Sequence, residues 1–431
     1  MPSGATRSMN NGGIGRALLG GQWMSGRRLR AHGMILAICL WSVYVWIIAT
    51  PGLRDRNGNL KGADLSHLYT LGSVALTHGA SASGELYDAD AQAKLTASRI
   101  PGAAGIAYIP MYPPQVSIFF APLAALPYRV ALILWLVISA FVYCLCCYAF
   151  WSVSPHLRSE GWTVLLLAIA FPGFFHLILW GQTSDMALAC FTVAFFFLRA
   201  EEPFLAGLAL GCLMFKPQLG IAAAFIFVYT HAWRVVAGAM LSAAAQLAVP
   251  AIYYGAESLR AWVRVMRNVA YNLAVLEPRP YQTHNLRIFW TMLIPGHTLP
   301  LALYVISALV MLALTAAIWT RRPTLPLGLR YSTLLLASVL VAPHLIVYDL
   351  VILAPVFLLM ADWMIEQAAI AQPRSSASLM RVTLYLVYLA PLVSGPIARW
   401  THLQISVVLM SLLVYAVWRA GRTSSRALVQ C

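Results

Sequence analysis

An all-α, polytopic membrane protein with about twelve transmembrane helices, in a range of roughly ten to thirteen, and two long extracytoplasmic loops is what this sequence predicts. Three observations carry that expectation. Of the 431 residues, 61% are hydrophobic and only 10% charged, and the mean hydropathy is +0.75, which is more apolar surface than a soluble core of this length can hide. Apolar runs long enough to cross hydrocarbon recur along the chain, with charges gathered in the gaps, as expected of helices that satisfy their own backbone hydrogen bonds. Those runs do not alternate between apolar and polar residues, which argues against the strands of a transmembrane barrel.

The elements follow in order. Residues 1–33, with Arg7, Arg16, Arg27, Arg28 and Arg30, read as a disordered basic cytoplasmic tail. No small-residue cleavage site follows the apolar run 34–50, so it is a retained first helix and not a signal peptide. Further spans fall near 128–150, 163–180, 184–199, 203–215, 218–230, 235–253, 299–319, 332–342, 345–361, 382–398 and 402–418, all within one domain, 34–418. Several are too short to cross without tilt or a break. Residues 419–431 read as a second cytoplasmic tail. With the N-terminus inside, the short loops carrying Arg158, Arg199, Arg234, Arg321, Arg322, Arg330, Arg374 and Arg381 are cytoplasmic, as the positive-inside rule asks. Loops 51–127 and 254–298 then lie outside, with short turns near Gln182, Lys216, His344 and Arg399. Two short apolar pieces of the first loop, one patterned through Leu65, Leu68, Leu71 and Leu76 and one from Val116 to Leu126, are expected to lie along the interface or dip into it.

Composition excludes several classes. Six of the seven cysteines, all but Cys431, lie inside apolar runs and give no disulfide framework. The cluster Cys144 to Cys147 has no His or carboxylate at ligand spacing, and no metal site is predicted. The net charge of +15 is spread over the ends of many apolar segments, which suits membrane orientation and lipid headgroups rather than nucleic acid. There is no P-loop, HExxH or GxSxG motif, which argues against an ATP-driven pump, a zinc protease of that kind and an ordinary lipase.

A few polar residues stand out against this background. Asp64 follows Gly62 and precedes the first apolar-patterned loop helix, where the dipole and free N–H groups favour an ionised carboxylate; the structural alternative is a helix N-cap. Lys216, in MFKPQLG, is the only charge between Glu202 and Arg234; it marks a broken hairpin with the ammonium aimed at an anion, or a lysine snorkelling at a turn. In APHLIVYDLVILAP a helical reading puts His344 and Tyr348 on one face beside Asp349, a functional candidate unless helix packing or capping accounts for Asp349. WGQTSD, with Gln182 and Asp185, reads as a tight turn between helices, with Asp185 as its cap. In the second loop Arg260, Arg264 and Arg267 share one helical face, followed by EPRPYQTHN and Arg287, as suits phosphate headgroups.

The ordered set GADLSHLY, GELYD, MYPPQ, WGQTSD, KPQ and PHLIVYDL resembles the glycosyltransferase family 87 membrane enzymes, polyprenyl-phosphate-mannose-dependent mannosyltransferases of the GT-C fold, over residues 34–360. The resemblance implies Asp64 as general base and a donor-phosphate site at Lys216 and His344, to which Arg287 is added. Tyr112, Gln182, Asp185, Gln218, His284, Tyr348 and Asp349 become candidate substrate contacts. It further implies a polyprenyl-phosphate-sugar donor, a glycolipid or glycan acceptor, membrane lipids as surroundings, no cofactor, and a site on the outer side of a cell membrane, a bacterial inner membrane. The chemistry agrees, since the phosphate is the leaving group, cations steady its charge and one carboxylate removes the acceptor proton. Direct displacement inverts the anomeric centre. The rivals are a flippase or transporter of a lipid-linked glycan, which would want inverted repeats and charges inside several spans, and a non-catalytic envelope-assembly subunit, which would not need Asp64.

Overall fold

The computed structural model describes residues 25–269, 276–321, 325–370 and 375–429; Arg7, Arg16, Arg322 and Arg374 lie outside them. The α-helices are α1 Gly26–Ile48, α2 Ala63–His78, α3 Ala89–Arg99, α4 Gln115–Ala124, α5 Tyr128–Ser152, α6 Gly161–Ile169, α7 Pro172–Trp180, α8 Ser184–Arg199 and α9 Pro203–Gly211. They continue as α10 Ile221–Tyr229, α11 Trp233–Tyr254, α12 Ala256–Arg267, α13 Leu286–Leu293, α14 Thr298–Arg321, α15 Leu327–Val341, α16 Ala354–Ile370, α17 Ser375–Thr401 and α18 Ile405–Val429. Among the described residues there is no strand, only isolated bridges at Arg54 with Leu60 and Thr283 with Ile346.

The protein is all-α and polytopic. Among the described residues six helices are long and apolar enough to cross a membrane, or seven if the pair that bends by 47° between Ile169 and Pro172 is one span. The bend has a cause at Pro172, which opens α7 and cannot continue the α6 ladder. Shorter apolar helices fill the remaining places, among them 203–215, 217–229 and 327–341. Large apolar side chains on the long helices point outward, with Ile133 65%, Phe141 66% and Met240 68% exposed. In water that would be a liability; against lipid tails it costs nothing.

Helix α1 begins at Gly26, inside the segment expected to be a disordered tail, and α18 runs on to Val429 where a second tail was expected. A larger correction concerns α2. Instead of lying along the interface it is enclosed, with Leu65 through Ala75 all buried. It packs with α4, the first turns of α5 and Tyr254 in a hydrophobic cluster of its own, apart from the main bundle core around α15 and residues 347–353. Gly72 lets α2 meet α4, since a methyl there would sit 2.5 Å from the Phe120 carbonyl oxygen. The second long segment closes over the first: Trp262 on α12 donates to the Met111 carbonyl at 3.1 Å, and the Ser117 and Tyr254 hydroxyls meet at 2.8 Å.

Helices α9 and α11 cross with no side chain between them. A methyl on Gly207 would stand 2.1 Å from the Val235 oxygen, and one on Gly238 2.2 Å from the Phe204 oxygen; Gly207 and Gly211 form the small-xxx-small spacing that such crossings use. Gly207→Val should therefore push the pair apart at a cost of roughly 1–3 kcal/mol, read as a lower melting temperature in detergent. Gly84→Ala, at an exposed glycine with nothing near its Cβ, should leave that temperature unchanged.

Candidate active site

Three interruptions of helical structure converge. The first is the turn after α7, where Gly181 takes a φ of +69° and α8 restarts at Ser184. The second is Lys216, which at φ −136° separates the 3₁₀ turns Cys212–Phe215 and Pro217–Gly220. The third is the stretch 342–346 after α15, which leads into the 3₁₀ turn Val347–Leu353. His344 therefore does not share a helical face with Tyr348, contrary to the periodicity argument; the chain bends at Pro343 and His344 and is tied to Thr283 by an isolated bridge at Ile346.

The interruptions are locked by charge. Lys216 Nζ, on a residue 4% exposed, donates to Asp349 Oδ1 at 2.7 Å and to Ser184 Oγ at 3.0 Å, and Ser184 donates to the same Asp349 oxygen at 2.5 Å. The other Asp349 oxygen accepts the Ile346 N–H at 3.2 Å. Lys216 thus finds its anion inside the protein. The ammonium also lies 5.3 Å from the Tyr348 ring centroid, close enough for a cation–π contribution.

Asp64 stands beside this pair. Gly62 occupies the cap position of α2 in the left-handed conformation with no side-chain cap bond, so Asp64 is not the cap. Its Oδ2 accepts instead from Gln182 Nε2 at 3.0 Å. The amide is oriented by its other end, because Gln182 Oε1 takes the Thr183 N–H at 2.8 Å and leaves the NH₂ to face the carboxylate. The same nitrogen lies 3.2 Å from the Tyr348 hydroxyl and 3.3 Å from that of Tyr112. Tyr128 anchors the start of α2 by donating to the Lys61 and Gly62 carbonyls. Tyr108, which donates to the Ala63 carbonyl, stacks on His67 with centroids 4.8 Å apart.

Asp64 is set among packed atoms yet remains partly accessible. Burial pushes its carboxyl up from 3.8 to about 6, against hydrogen bonding from Gln182 and the nearby Lys216 charge. The helix terminus was expected to favour ionisation, but desolvation wins. Burial likewise lowers His67 to about 4, so the ring is neutral, and raises the Tyr108 phenol to about 12.

A second charged group sits close by. Glu277 accepts from His344 Nδ1 at 2.7 Å and from Arg287 Nη2, while Arg287 Nε donates to the Pro343 carbonyl. Burial alone would raise the Glu277 carboxyl, yet His344 and Arg287 hold it below its ordinary value. A cavity of about 60 Å³ joins the two groups, lined by Tyr112, Gln182, Lys216, Gln218, His344 and Asp349 among others and roofed by Trp262 and Met266 of α12. Arginines 260 and 264 of that helix pair with Glu257.

Two predicted contacts fall elsewhere. His284 is 1% exposed and its Nδ1 meets Ser406 Oγ at 2.7 Å, away from the cavity. Asp185 is fully buried in the first turn of α8, makes no side-chain cap bond and does not line the cavity. Conversely, sequence reasoning passed over Ser184, His67, Tyr108 and Glu277. Only Glu277 left a signal, as one of two carboxylates, with Glu257, in an arginine-rich loop. Among the described residues no group of three His, Cys, Asp or Glu side chains is placed to hold a metal ion.

The family model for glycosyltransferase family 87 matches residues 111–347, more than half of the chain. The chain belongs to glycosyltransferase family 87. It is a membrane glycosyltransferase, and as such it takes a sugar donor and an acceptor. No curated protein and no solved structure gives a significant match. The family 87 match contains Tyr112, Gln182, Lys216, Glu277, Arg287 and His344; Asp64 lies ahead of it and is joined to it by the Gln182 hydrogen bond.

A buried ion pair is costly to break and cheap to replace. Asp349→Ala should strand the Lys216 ammonium and lower stability by about 3–5 kcal/mol. The double variant Lys216→Met with Asp349→Leu should recover most of that loss. Thermal unfolding of the purified proteins in one detergent measures both.

Proposed function

We propose that this glycosyltransferase has the GT-C architecture and transfers a hexose, mannose, from a polyprenyl-phosphate-linked donor to a lipid or glycan acceptor, with inversion, on the extracytoplasmic face of a bacterial inner membrane. The observation that carries the proposal is Asp64: a partly accessible carboxyl, oriented by Gln182, whose proton affinity burial has moved close to neutral pH. A general base works best when its pKa lies near the working pH.

In the proposed reaction Asp64 takes the proton of an acceptor hydroxyl. That oxygen forms a bond to the anomeric carbon as the bond from carbon to the phosphate oxygen breaks, and polyprenyl phosphate leaves with the electron pair. The cations retain capacity to meet it. Lys216 spends two of its three N–H groups on Asp349 and Ser184, and His344 uses only Nδ1 on Glu277. Arg287 likewise has N–H groups beyond those that reach Glu277 and Pro343. Tyr112, Gln218 and Tyr348 line the space between as sugar contacts.

Asp64→Asn keeps the side chain's shape and removes the base. It should cut transfer from a polyprenyl-phosphate-mannose donor by roughly 10²-fold or more, and wild-type kcat/KM should fall as the pH drops below about 6, where Asp64 takes up its proton. The stability effect has the opposite sign. Because the folded carboxyl titrates near 6 and the ordinary one near 3.8, an ionised Asp64 destabilises the fold above pH 6 by at most about 3 kcal/mol. That penalty is relieved as the pH falls towards 3.8, so the variant should be at least as stable as wild type at pH 7. Near-native transfer by Asp64→Asn would end the general-base assignment.

Sidedness has its own test. An impermeant thiol reagent should label Ser98→Cys in intact cells and Ser159→Cys only after lysis, both positions being exposed. The reverse pattern would place the site on the cytoplasmic face.

A further inference from the structure

At the end of the bundle away from Asp64 lies an elongated cavity of about 460 Å³, enclosed by α1, α5, α6, α16 and α17. Tyr128, at the start of α5, donates to the carbonyl of Gly62, two residues before Asp64; the cavity meets α5 only at Tyr143, about 22 Å further along the helix at 1.5 Å per residue. On α16 it runs from Ala354 to Ala368, about 21 Å by the same rise and more than half of a roughly 30 Å hydrocarbon core. Its interior is apolar, with Leu167, Phe171, Phe357 and Met364 among the lining side chains. The two phenols that line it are already committed, Tyr143 donating to the Ala168 carbonyl at 3.0 Å and Tyr388 to that of Leu167 at 2.7 Å. Such an interior suits a hydrocarbon guest, and lipid can reach it from the side, because its wall residue Ile365 is 43% exposed.

The mouth differs in chemistry. Glu160, in the turn before α6, and Arg381, in the second turn of α17, are the charged side chains that line the cavity among the described residues, and both are half-buried. Glu160 Oε2 accepts from the Thr163 hydroxyl at 2.6 Å, while its Oε1 accepts no hydrogen bond among the described residues. The carboxylate lies against the first residue of α1, where a methyl on Gly26 would stand 3.3 Å from both of its oxygens, and the positive end of that helix holds it there. Arg381 has no ion-pair partner among the described residues. A cation and a carboxylate with an open oxygen at the mouth of an apolar slot match a guest with both charges in its head and hydrocarbon behind them. A purely anionic head would meet Arg381 but also the Glu160 charge, and a choline head has a cation without an N–H to donate. An ethanolamine head supplies the phosphate and three N–H donors.

We infer that this cavity is a binding site for a phosphatidylethanolamine-type phospholipid, with one acyl chain in the slot, the phosphate at Arg381 and the ammonium at Glu160. The site shares no lining residue with the polar cavity beside Asp64, and it does not depend on which substrates the enzyme joins. The lipid is a structural guest and not a reactant. It supplies contacts to side chains of α1, α6, α16 and α17 that the protein's own packing leaves facing a void, and a void forfeits those contacts outright.

The test uses the full-length protein in phosphatidylcholine nanodiscs doped with one diazirine-bearing phospholipid at a time, its headgroup being ethanolamine, choline or glycerol. Labelled peptides are mapped by mass spectrometry, with 357–365 of α16 reporting the cavity and the exposed α14 residues Val305 and Leu309 reporting bulk lipid. Relative to α14, the ethanolamine lipid should label 357–365 about fivefold more than either of the others, a ratio that one partly exposed charged contact supports. Glu160→Gln should bring the ethanolamine lipid down to the choline level, Arg381→Gln should lower labelling by all three, and Ala361→Trp should remove it while α14 labelling persists. The headgroup comparison on the unaltered protein stands even where a variant fails to fold. Equal labelling by the three lipids would reduce the cavity to ordinary lipid contact, competition by excess polyprenyl phosphate would give it to that lipid, and no labelling at 357–365 would show it closed to lipid; each overturns the proposal. None of these measurements needs sugar transfer, so their outcome is independent of whether Asp64→Asn remains active.

Discussion

An ammonium almost sealed from solvent exists in a membrane protein only if an anion meets it, and the Lys216–Asp349 pair, both residues under 5% exposed, is the constraint around which this site is built. Its energetic worth as an ion pair is modest, because two desolvated charges roughly repay their own cost. Its structural worth is larger. The lysine sits at the break between α9 and α10, the aspartate at the break after α15, and Ser184, at the start of α8, touches both. Each break leaves backbone groups that a helix would have satisfied, and the pair holds the three ends in one register.

The base position inherits that rigidity. Gln182 is two residues from Ser184 in the same turn, and its amide is fixed by the Thr183 N–H before it reaches Asp64. From the other side, α2 is held by its buried packing on α4 and by Tyr128 on the carbonyls at its start. Asp64 thus sits on a helix of the second hydrophobic cluster and is hydrogen-bonded to a turn of the bundle, while Leu136 and Phe215 pack against both clusters. A catalytic carboxyl gains from such placement, since a position fixed by two packed bodies needs little reorganisation when the proton moves.

Local chemistry was legible in the sequence, and distance was not. Gly181 and Pro217 announce the turn and the hairpin break, because a left-handed residue and a missing N–H have few alternatives. Apolar runs give the helices for the same kind of reason. Yet the partner of Lys216 is 133 residues away and that of Asp64 is 118 away, and no periodicity reports on such pairings. Helix α2 reads as amphipathic at Leu65, Leu68 and Leu71, but it carries Ser66, Thr70 and Ser73 on its other faces and buries those too. Their hydroxyls bond back to carbonyls of the helix itself, so small polar residues pass as core. A 3.6-residue period misplaces His344 because the chain is not helical there but bends at Pro343 and His344.

The separation of Lys216 from Asp349 also has a meaning in time. Synthesis proceeds at roughly 5–20 residues per second, so a gap of 133 residues leaves the lysine without its carboxylate for roughly 7 to 27 s. During that interval the hairpin of α9 and α10 carries an uncompensated charge at its tip, and the short helices on either side lack the length to span alone. The nascent chain must keep Lys216 in contact with water or with the insertion machinery until the end of α15 has emerged. A chain stopped between these two residues has no interior place to put the lysine, which makes the segment from 217 to 349 the interval in which biogenesis of this enzyme is most exposed to failure.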